Sequence, residues 1–203
     1  MLTQVRRPWG WIGRRVLADM NRRHSDVTDW GLTHVVVESR DTILDIGCGG
    51  GRTLEKLAAR ASEGRIFGVD FSSTSVAASR AHNAALVASG RMKIDQASVS
   101  KLPFEDATFD LVTAVETHYY WPNLPRDVGE IARVLKPGGM LCVIAELPGS
   151  GKLLRAFGAA GLAEVQAFTE GAWTCVTGRR PMAPTPASAA SEGSASDAVM
   201  SRG

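Results

Sequence analysis

The stretch ILDIGCGGGRTLEKLA, residues 43–58, predicts a strand, a ligand-binding turn and a helix in succession. Its first residues are apolar and suit a buried strand, and apolar residues recur at helical spacing after Arg52. Between the two lie four glycines in five positions, Gly47 to Gly51. A glycine turn between a strand and a helix often brings the backbone close to a ligand, because glycine has no Cβ and accepts positive φ angles. A carboxylate, Asp45, stands two residues before the turn.

Strand-like and helix-like segments alternate along the chain beyond this stretch. The strand-like segments are short, apolar or β-branched: 42–46, 65–70, 91–97, 109–115 and 139–146. The helix-like segments have apolar residues three and four apart: 51–61, 72–90 and 124–136. This alternation predicts an α/β fold with a doubly wound, mostly parallel, Rossmann-like sheet. Ligands of such sheets bind beyond the carboxyl ends of the strands.

The C-terminal third adds an antiparallel element to this prediction. LKPGG at 135–139 predicts the end of a helix and a turn, and a last helix is expected around 150–160. Residues 163–180 look like two strands joined by a tight turn at Glu170 and Gly171. We therefore expect an antiparallel hairpin to close one side of the sheet.

Length and composition predict one globular domain with two distinct ends. The 203 residues, 44% of them hydrophobic, suffice for one core. Residues 1–26 are rich in arginine with apolar residues at helical spacing, and we expect a cap helix there rather than a targeting peptide. The folded domain is then 27–180, and 181–203 is expected to be disordered because it is mostly Ala, Ser, Pro and Gly.

Charge and cysteine content argue against several kinds of partner. A net charge of +2 gives no reason to expect nucleic acid. The apolar run at 140–145 is far shorter than the roughly 20 residues that span a bilayer, so we expect no membrane span. The cysteine content fits a reducing compartment, and we expect a cytoplasmic protein. Cys48, Cys142 and Cys175 are odd in number and form no ligand motif, which argues against a disulfide framework and against a metal site.

The glycine turn does not fit the common phosphate-binding patterns. In the dinucleotide pattern G-x-G-x-x-G the third position falls on Arg52 in one frame and on Leu54 in the other. No Gly-Lys-Ser/Thr follows the turn, so a P-loop is excluded as well. A bare strand-to-helix connection remains the alternative to a ligand site.

Two carboxylates indicate what kind of ligand the turn would accept. Asp45 at the threshold of the turn would repel a pyrophosphate and attract an ammonium group. Asp70 ends the second strand, 23 residues after Gly47, where a carboxylate can accept both hydroxyls of an unphosphorylated ribose. Asp70 could instead be a helix N-terminal acid. Together the two acids favour a cationic nucleoside without phosphate, and S-adenosylmethionine is such a ligand.

Four motifs occur in order over residues 27–147: ILDIGCGGG, GVDFS, LPFEDATFDLVTAVET and RVLKPGGML. Together they resemble the class I S-adenosylmethionine-dependent methyltransferases, and MNRRHSDVTDWGL and ETHYYWPNL resemble a bacterial subgroup acting on small molecules. The resemblance implies that the glycines underlie the methionine part, that Asp45 lies near its amino group, that Asp70 holds the ribose, and that Ser98 and Val99 flank the adenine. Ser98 departs from the acid common at its position. The full cofactor-binding set implied is Asp45, Gly47, Cys48, Gly49, Gly51, Asp70, Phe71, Ser98, Val99 and Glu116.

Methyl transfer is an in-line displacement, in which the protein contributes mainly proximity and alignment. A general base is needed only when the acceptor enters protonated. Candidates follow the fourth predicted strand: Glu116 near the cofactor, His118 as a base near neutral pH, and Tyr119 in an aromatic wall. An ordinary loop histidine and core aromatic residues are the other interpretations. His24 is a further catalytic candidate if the cap helix covers the site, and otherwise only a helix end.

The function expected from these motifs is methylation of a small organic acceptor by a monomer or homodimer. One alternative is a cofactor-binding protein without activity, because the segment between Glu146 and Gly161 is short. A nicotinamide-dependent oxidoreductase is the other, and the failed glycine pattern and Asp45 argue against it. Cys48 is not expected to act as a nucleophile, since no base is identifiable beside it.

Overall fold

The computed structural model describes residues 25–146 and 150–182 of the chain. The cap helix predicted over residues 1–26 lies outside these ranges except for Ser25 and Asp26, and the predicted disordered tail lies outside them except for Pro181 and Met182. Within the described ranges, no helix is long and apolar enough to cross a bilayer.

The described strands form one seven-stranded sheet. They are β1 (Thr42–Ile46), β2 (Arg65–Asp70), β3 (Met92–Gln96), β4 (Phe109–Val115), β5 (Leu135–Ala145), β6 (Ala163–Glu170) and β7 (Trp173–Arg179). Their order is β3-β2-β1-β4-β5-β7-β6, with parallel pairing from β3 to β5 and antiparallel pairing of β7 with both β5 and β6. The predicted doubly wound, Rossmann-like sheet with a C-terminal antiparallel hairpin is confirmed.

Six described α-helices connect or flank the strands. They are α1 (Ser25–Gly31), α2 (Arg52–Arg60), α3 (Ser73–His82), α4 (Ala84–Ala88), α5 (Leu124–Val134) and α6 (Gly151–Ala159). Short 3₁₀ turns cover Leu32–His34 and His118–Tyr120. Side-chain caps fix two helix starts: Ser72 Oγ accepts from Ser75 N–H on α3, and Asn123 Oδ1 accepts from Arg126 N–H on α5.

The structure differs from the predicted elements at three places. The single helix predicted over 72–90 is two helices, because Asn83 leaves the helical conformation with φ −104° and ψ 28°. The helix predicted over 124–136 ends at Val134, and the predicted turn at 135–139 is instead part of β5, where the pairing with β4 shifts register. The hairpin turn falls at 171–172, one residue later than predicted.

The core lies on both faces of the sheet because successive side chains of a strand point in opposite directions. In β1, the side chain of Ile43 lies on the face of the sheet that α2 covers, whereas that of Leu44 lies on the face that α5 and α6 cover. Both side chains are completely buried, and each such burial is worth about 1.5–3 kcal/mol. The same alternation puts Asp45 on the α2 face, directly opposite its register partner Thr113 on β4.

Candidate active site

A cavity of about 240 Å³ opens at the carboxyl ends of β1, β2 and β4, where the fold predicts a ligand. Its lining combines the glycine turn, the ends of these strands and the 3₁₀ turn after β4. We call Gly47–Gly51 together with Asp70 the glycine wall, and Glu116–Pro122 the aromatic wall. The predicted cofactor-binding residues that line the cavity are Gly47, Cys48, Gly49, Asp70, Phe71, Ser98, Val99 and Glu116.

The glycine turn is tied to the end of β2 and packed against the aromatic wall. The N–H groups of Gly47 and Cys48 both donate to Val69 O, at 2.8 and 3.1 Å. Gly47 has φ +72°, and a Cβ at this position would lie 2.2 Å from Thr117 Oγ1. A side chain at Gly47 would therefore force the two walls apart, which gives a physical reason for glycine here.

Asp70 is held at the cavity by backbone donors from two directions. Gly49 N–H donates to its Oδ2 at 2.9 Å, and Ser72 N–H donates to its Oδ1 at 2.8 Å. Burial raises the pKa of Asp70, and these hydrogen bonds oppose the shift. A carboxylate offers about four lone-pair positions, and the Ser75 side chain also hydrogen-bonds to Asp70, so about one position remains for a further donor.

Asp45 lies beneath the turn and not in the cavity wall. Its side chain is 2% exposed, and Thr113 Oγ1 donates to its Oδ1 at 2.7 Å. Burial raises the pKa of Asp45 to about 7, the charge of Asp70 adds to the shift, and the Thr113 hydrogen bond opposes it. A cation placed above the turn would favour the ionised form of this buried carboxyl.

Cys48 lines the cavity as a protonated thiol. Burial, with Asp70 and Asp45 close by, raises the pKa of Cys48 well above its usual range. Since the thiolate is the nucleophilic form, this agrees with the expectation that Cys48 is not a nucleophile. Among residues 25–146 and 150–182, no three His, Cys, Asp or Glu side chains are grouped to hold a metal ion.

Glu116 is the acidic residue at the start of the aromatic wall. Its backbone is in the left-handed region with φ +56°, which is uncommon for a residue with a side chain. Its Oε1 accepts from the backbone N–H of Glu146 and from the Tyr119 hydroxyl, the latter at 3.4 Å. Burial, reinforced by the Glu116 charge, raises the pKa of Tyr119, so the phenol is protonated at neutral pH. Tyr119 itself does not line the cavity, whereas Tyr120 and Trp121 do.

His118 is placed differently from what its predicted role requires. It is half-buried and does not line the cavity, and its ring centroid lies 4.0 Å from that of Tyr119. Its Nδ1 is buried with no hydrogen-bond partner within the described parts of the chain. Burial lowers the pKa of His118 to about 4, so the ring is a weak base at neutral pH. His24, the other predicted histidine, lies outside the described residues.

Several lining residues were not singled out from the sequence. Lys56 donates to Ser25 Oγ at 2.9 Å and pairs with Asp29 at 2.5 Å, which fixes α1 beside the glycine wall. Helical spacing could have indicated two of them, because Arg52 and Lys56 lie one turn apart on the helix that follows the glycines and so share one face of it. The lining residues missed by sequence reasoning include Ser25, Thr28, Arg52, Thr53, Lys56 and Ser75.

Comparison of the sequence with known families and proteins agrees with this geometry. Residues 44–143 match the family described as "Methyltransferase domain". Over 110 residues the chain is 38% identical to demethylmenaquinone methyltransferase of Symbiobacterium thermophilum, covering 53% of this chain and 44% of that protein. Over 105 residues it is 35% identical to 27-O-demethylrifamycin SV methyltransferase of Amycolatopsis mediterranei, covering 51% and 38%. The chain spans less than half the length of these curated relatives.

Solved structures share the fold at low sequence identity. A methyltransferase from Haloferax volcanii, solved in complex with the methyltransferase activator Trm112, has a TM-score of 0.72 at 23% identity, covering 81% of this chain and 93% of that chain. A SAM-dependent methyltransferase from Aquifex aeolicus has a TM-score of 0.69 at 17% identity, covering 81% and 95%. Fold, cavity and sequence match agree, and residues 44–143 belong to the class I S-adenosylmethionine-dependent methyltransferases, whose cofactor is S-adenosylmethionine.

Proposed function

We propose that this chain transfers a methyl group from S-adenosylmethionine to a small organic acceptor. The observation that carries the proposal is the Asp70 carboxylate, held at the cavity by Gly49 N–H and Ser72 N–H above the buried Asp45. Two acids beside one backbone turn disfavour a pyrophosphate and favour a cationic nucleoside. The residues present therefore fit the family's cofactor.

Each part of the cofactor has a partner in the lining under this proposal. Asp70 accepts from a ribose hydroxyl at the lone-pair position that Gly49, Ser72 and Ser75 leave open. The turn from Gly47 to Gly49 underlies the methionine part, and the charge of Asp45 beneath it favours the amino group. Phe71, which is 57% exposed, and Val99 flank the adenine, with Ser98 as an acceptor for its amino group.

The chain's contribution to the reaction is alignment and shielding. When bound, the cofactor supplies an electrophilic methyl group on a sulfonium. The aromatic wall orients the acceptor and keeps water away from the methyl group, which is worth several powers of ten in rate. Where an acceptor enters protonated, Glu116 takes the proton, because it lines the cavity whereas His118 lies outside it. Tyr119 positions Glu116 through its hydroxyl.

The lining next to Glu116 favours an acceptor with an apolar or aromatic body. Val115, Tyr120 and Trp121 form this part of the cavity. The two relatives named above agree with such an acceptor, since one is a demethylmenaquinone methyltransferase and the other a 27-O-demethylrifamycin SV methyltransferase.

Turnover with a mixture of acceptors tests the proposal. Purified protein is incubated with S-adenosylmethionine and a small-molecule metabolite extract, and S-adenosylhomocysteine is quantified by mass spectrometry. We expect product with the native chain and none with Asp70→Ala. Cofactor binding without turnover in any extract would favour the non-catalytic alternative, and absence of binding would overturn both.

A further inference from the structure

We infer that Asn83 is a positioning residue that holds the glycine turn in its ligand-binding conformation without touching the ligand. The inference rests on the proposed function, because it assigns the turn to cofactor binding. Asn83 is 4% exposed, lies between α3 and α4 and does not line the cavity.

The side-chain amide of Asn83 donates a hydrogen bond to Gly51, the last glycine of the turn. Its Nδ2 donates to Gly51 O at 3.0 Å, a contact between residues 32 positions apart, and to Ser79 O at 3.1 Å. Gly51 is the residue at which the turn ends and α2 begins, and no side chain caps that helix start. The Asn83 amide does not cap α2, because it donates to a carbonyl; it fixes the position of the residue at which the turn meets the helix.

Gly51 controls both the turn and the helix that follows it. Its N–H donates to Cys48 O at 2.9 Å inside the turn, and its carbonyl accepts from Glu55 N–H at 3.2 Å as the first bond of α2. Its φ of +87° favours glycine, and a Cβ here would lie 2.5 Å from both Asn83 Nδ2 and Ser79 Oγ. The end of α3 is thus packed directly against the turn.

A second contact closes the same junction on its exposed side. His82 Nε2 lies 2.8 Å from Glu55 Oε2. The adjacent residues His82 and Asn83 therefore both contact the start of α2, at Glu55 and at Gly51. Of these two contacts the Asn83 bond is the buried one, and buried hydrogen bonds are the costly ones to leave unmade. Losing it leaves the Gly51 carbonyl with the Glu55 N–H bond alone and removes the buried link between α3 and the turn.

Side-chain variants of Asn83 separate its hydrogen bond to Gly51 from its backbone contribution to α3. The backbone N–H of Asn83 donates to Ser79 O at 3.1 Å, and this bond survives any change of the side chain. Asn83→Asp keeps the shape of the side chain and removes the donor when ionised, whereas Asn83→Ala removes the side chain altogether. Ile131→Val is the matched control, since it trims a fully buried residue of α5 that belongs to a different core cluster from Val76 of α3 and Cys48 of the turn.

The test measures S-adenosylhomocysteine affinity by calorimetry and amide exchange over residues 47–57 in ligand-free protein. We expect about tenfold weaker affinity and faster exchange in this segment for both Asn83 variants. Ile131→Val should lower the melting temperature and leave the affinity within about twofold of the native value. If Asn83→Asp does not fold, Asn83→Ala carries the comparison.

Native affinity in both Asn83 variants, or faster exchange confined to α3, would overturn the inference. The exchange measurement is independent of the proposed function, because it is made without ligand. If the native chain fails to bind S-adenosylhomocysteine, the proposed function fails, while faster exchange over 47–57 still supports the role of Asn83 in holding the turn.

Discussion

The glycine wall and the aromatic wall face the same cavity but are built by different means. In the glycine wall the backbone N–H of Gly49 and both oxygens of Asp70 are already hydrogen-bonded. In the aromatic wall Glu116 has a strained backbone, and His118 Nδ1 is buried with no partner in the part of the chain that the structure describes.

This difference indicates that the glycine wall is preformed. Satisfied polar groups on strand ends hold a fixed shape, which suits a cofactor common to a whole family. Backbone strain and an unpartnered ring are typical of functional sites, which suits the wall that would contact an acceptor. The walls meet where Gly47 packs against Thr117.

Removing Asp70 should have the largest effect on binding. Asp70→Ala deletes the acceptor for Gly49 N–H and Ser72 N–H together with the proposed ribose contacts, so we expect S-adenosylhomocysteine affinity to fall about a hundredfold or more. Calorimetry measures it. Asp95→Ala on β3 is the control, because its carboxylate pairs with Arg80 and Lys93 away from the cavity. Equal affinities for the two variants would contradict the role of Asp70.

Forcing the walls apart should have the next largest effect. Gly47→Ala places a methyl group 2.2 Å from Thr117 Oγ1 at a positive φ, and we expect about 3 kcal/mol of lost stability together with weakened cofactor binding. Gly90→Ala is the matched control, because Gly90 has φ +76° with nothing within 4 Å of an added Cβ. It should cost only about 1 kcal/mol in urea unfolding. Similar losses of stability in both variants would show that a side chain at Gly47 does not clash with Thr117.

Neutralising Glu116 should separate turnover from cofactor binding. Glu116→Gln keeps an oxygen that can accept from Glu146 N–H and Tyr119 and removes the charge at the cavity. We expect product formation from an acceptor that enters protonated to fall about tenfold to a hundredfold. Affinity for S-adenosylhomocysteine should stay within about threefold of the native value. Unchanged turnover would remove Glu116 as the base and leave alignment as the contribution of this wall.

The smallest effect concerns the pH dependence of stability through Asp45. Its folded pKa of about 7 lies above the ordinary value of 3.8, so the ligand-free fold binds more protons than the unfolded chain between these two values. The Asp45 contribution to stability is therefore complete at low pH and is lost as the pH rises to about 7. Asp45→Asn keeps an acceptor for Thr113 and should be more stable than the native chain by about 1–3 kcal/mol at pH 8. Thermal unfolding at pH 4.5 and 8 measures this, and an equal difference at both pH values would contradict it.

The elements that position the glycine wall were predictable from sequence. The bounds of β1, β2 and β4 agree with their predicted segments, because each strand is a short apolar run with a sharp polar or glycine boundary. The turn after β1 was visible in Gly47–Gly51, and Asp70 was visible from its spacing to that turn. These features are local, so the residues that define them are adjacent in the chain.

Features that depend on distant contacts were not predictable in this way. Asn83 divides the helix predicted over 72–90, and its partner Gly51 is 32 residues away. The weak basicity of His118 arises from burial, and Asp45 lies beneath the turn because Thr113 on a neighbouring strand holds it there. Spacing indicates which strand end carries a residue, but the packing of other elements decides whether its side chain reaches the cavity.

Calorimetric titration of the native chain, first with S-adenosylmethionine and then with NADH, tests the central claim most directly. A carboxylate pair around the glycine turn predicts binding of S-adenosylmethionine that is lost in Asp70→Ala, with no heat from NADH at the same concentrations. Binding of NADH without binding of S-adenosylmethionine would contradict the account.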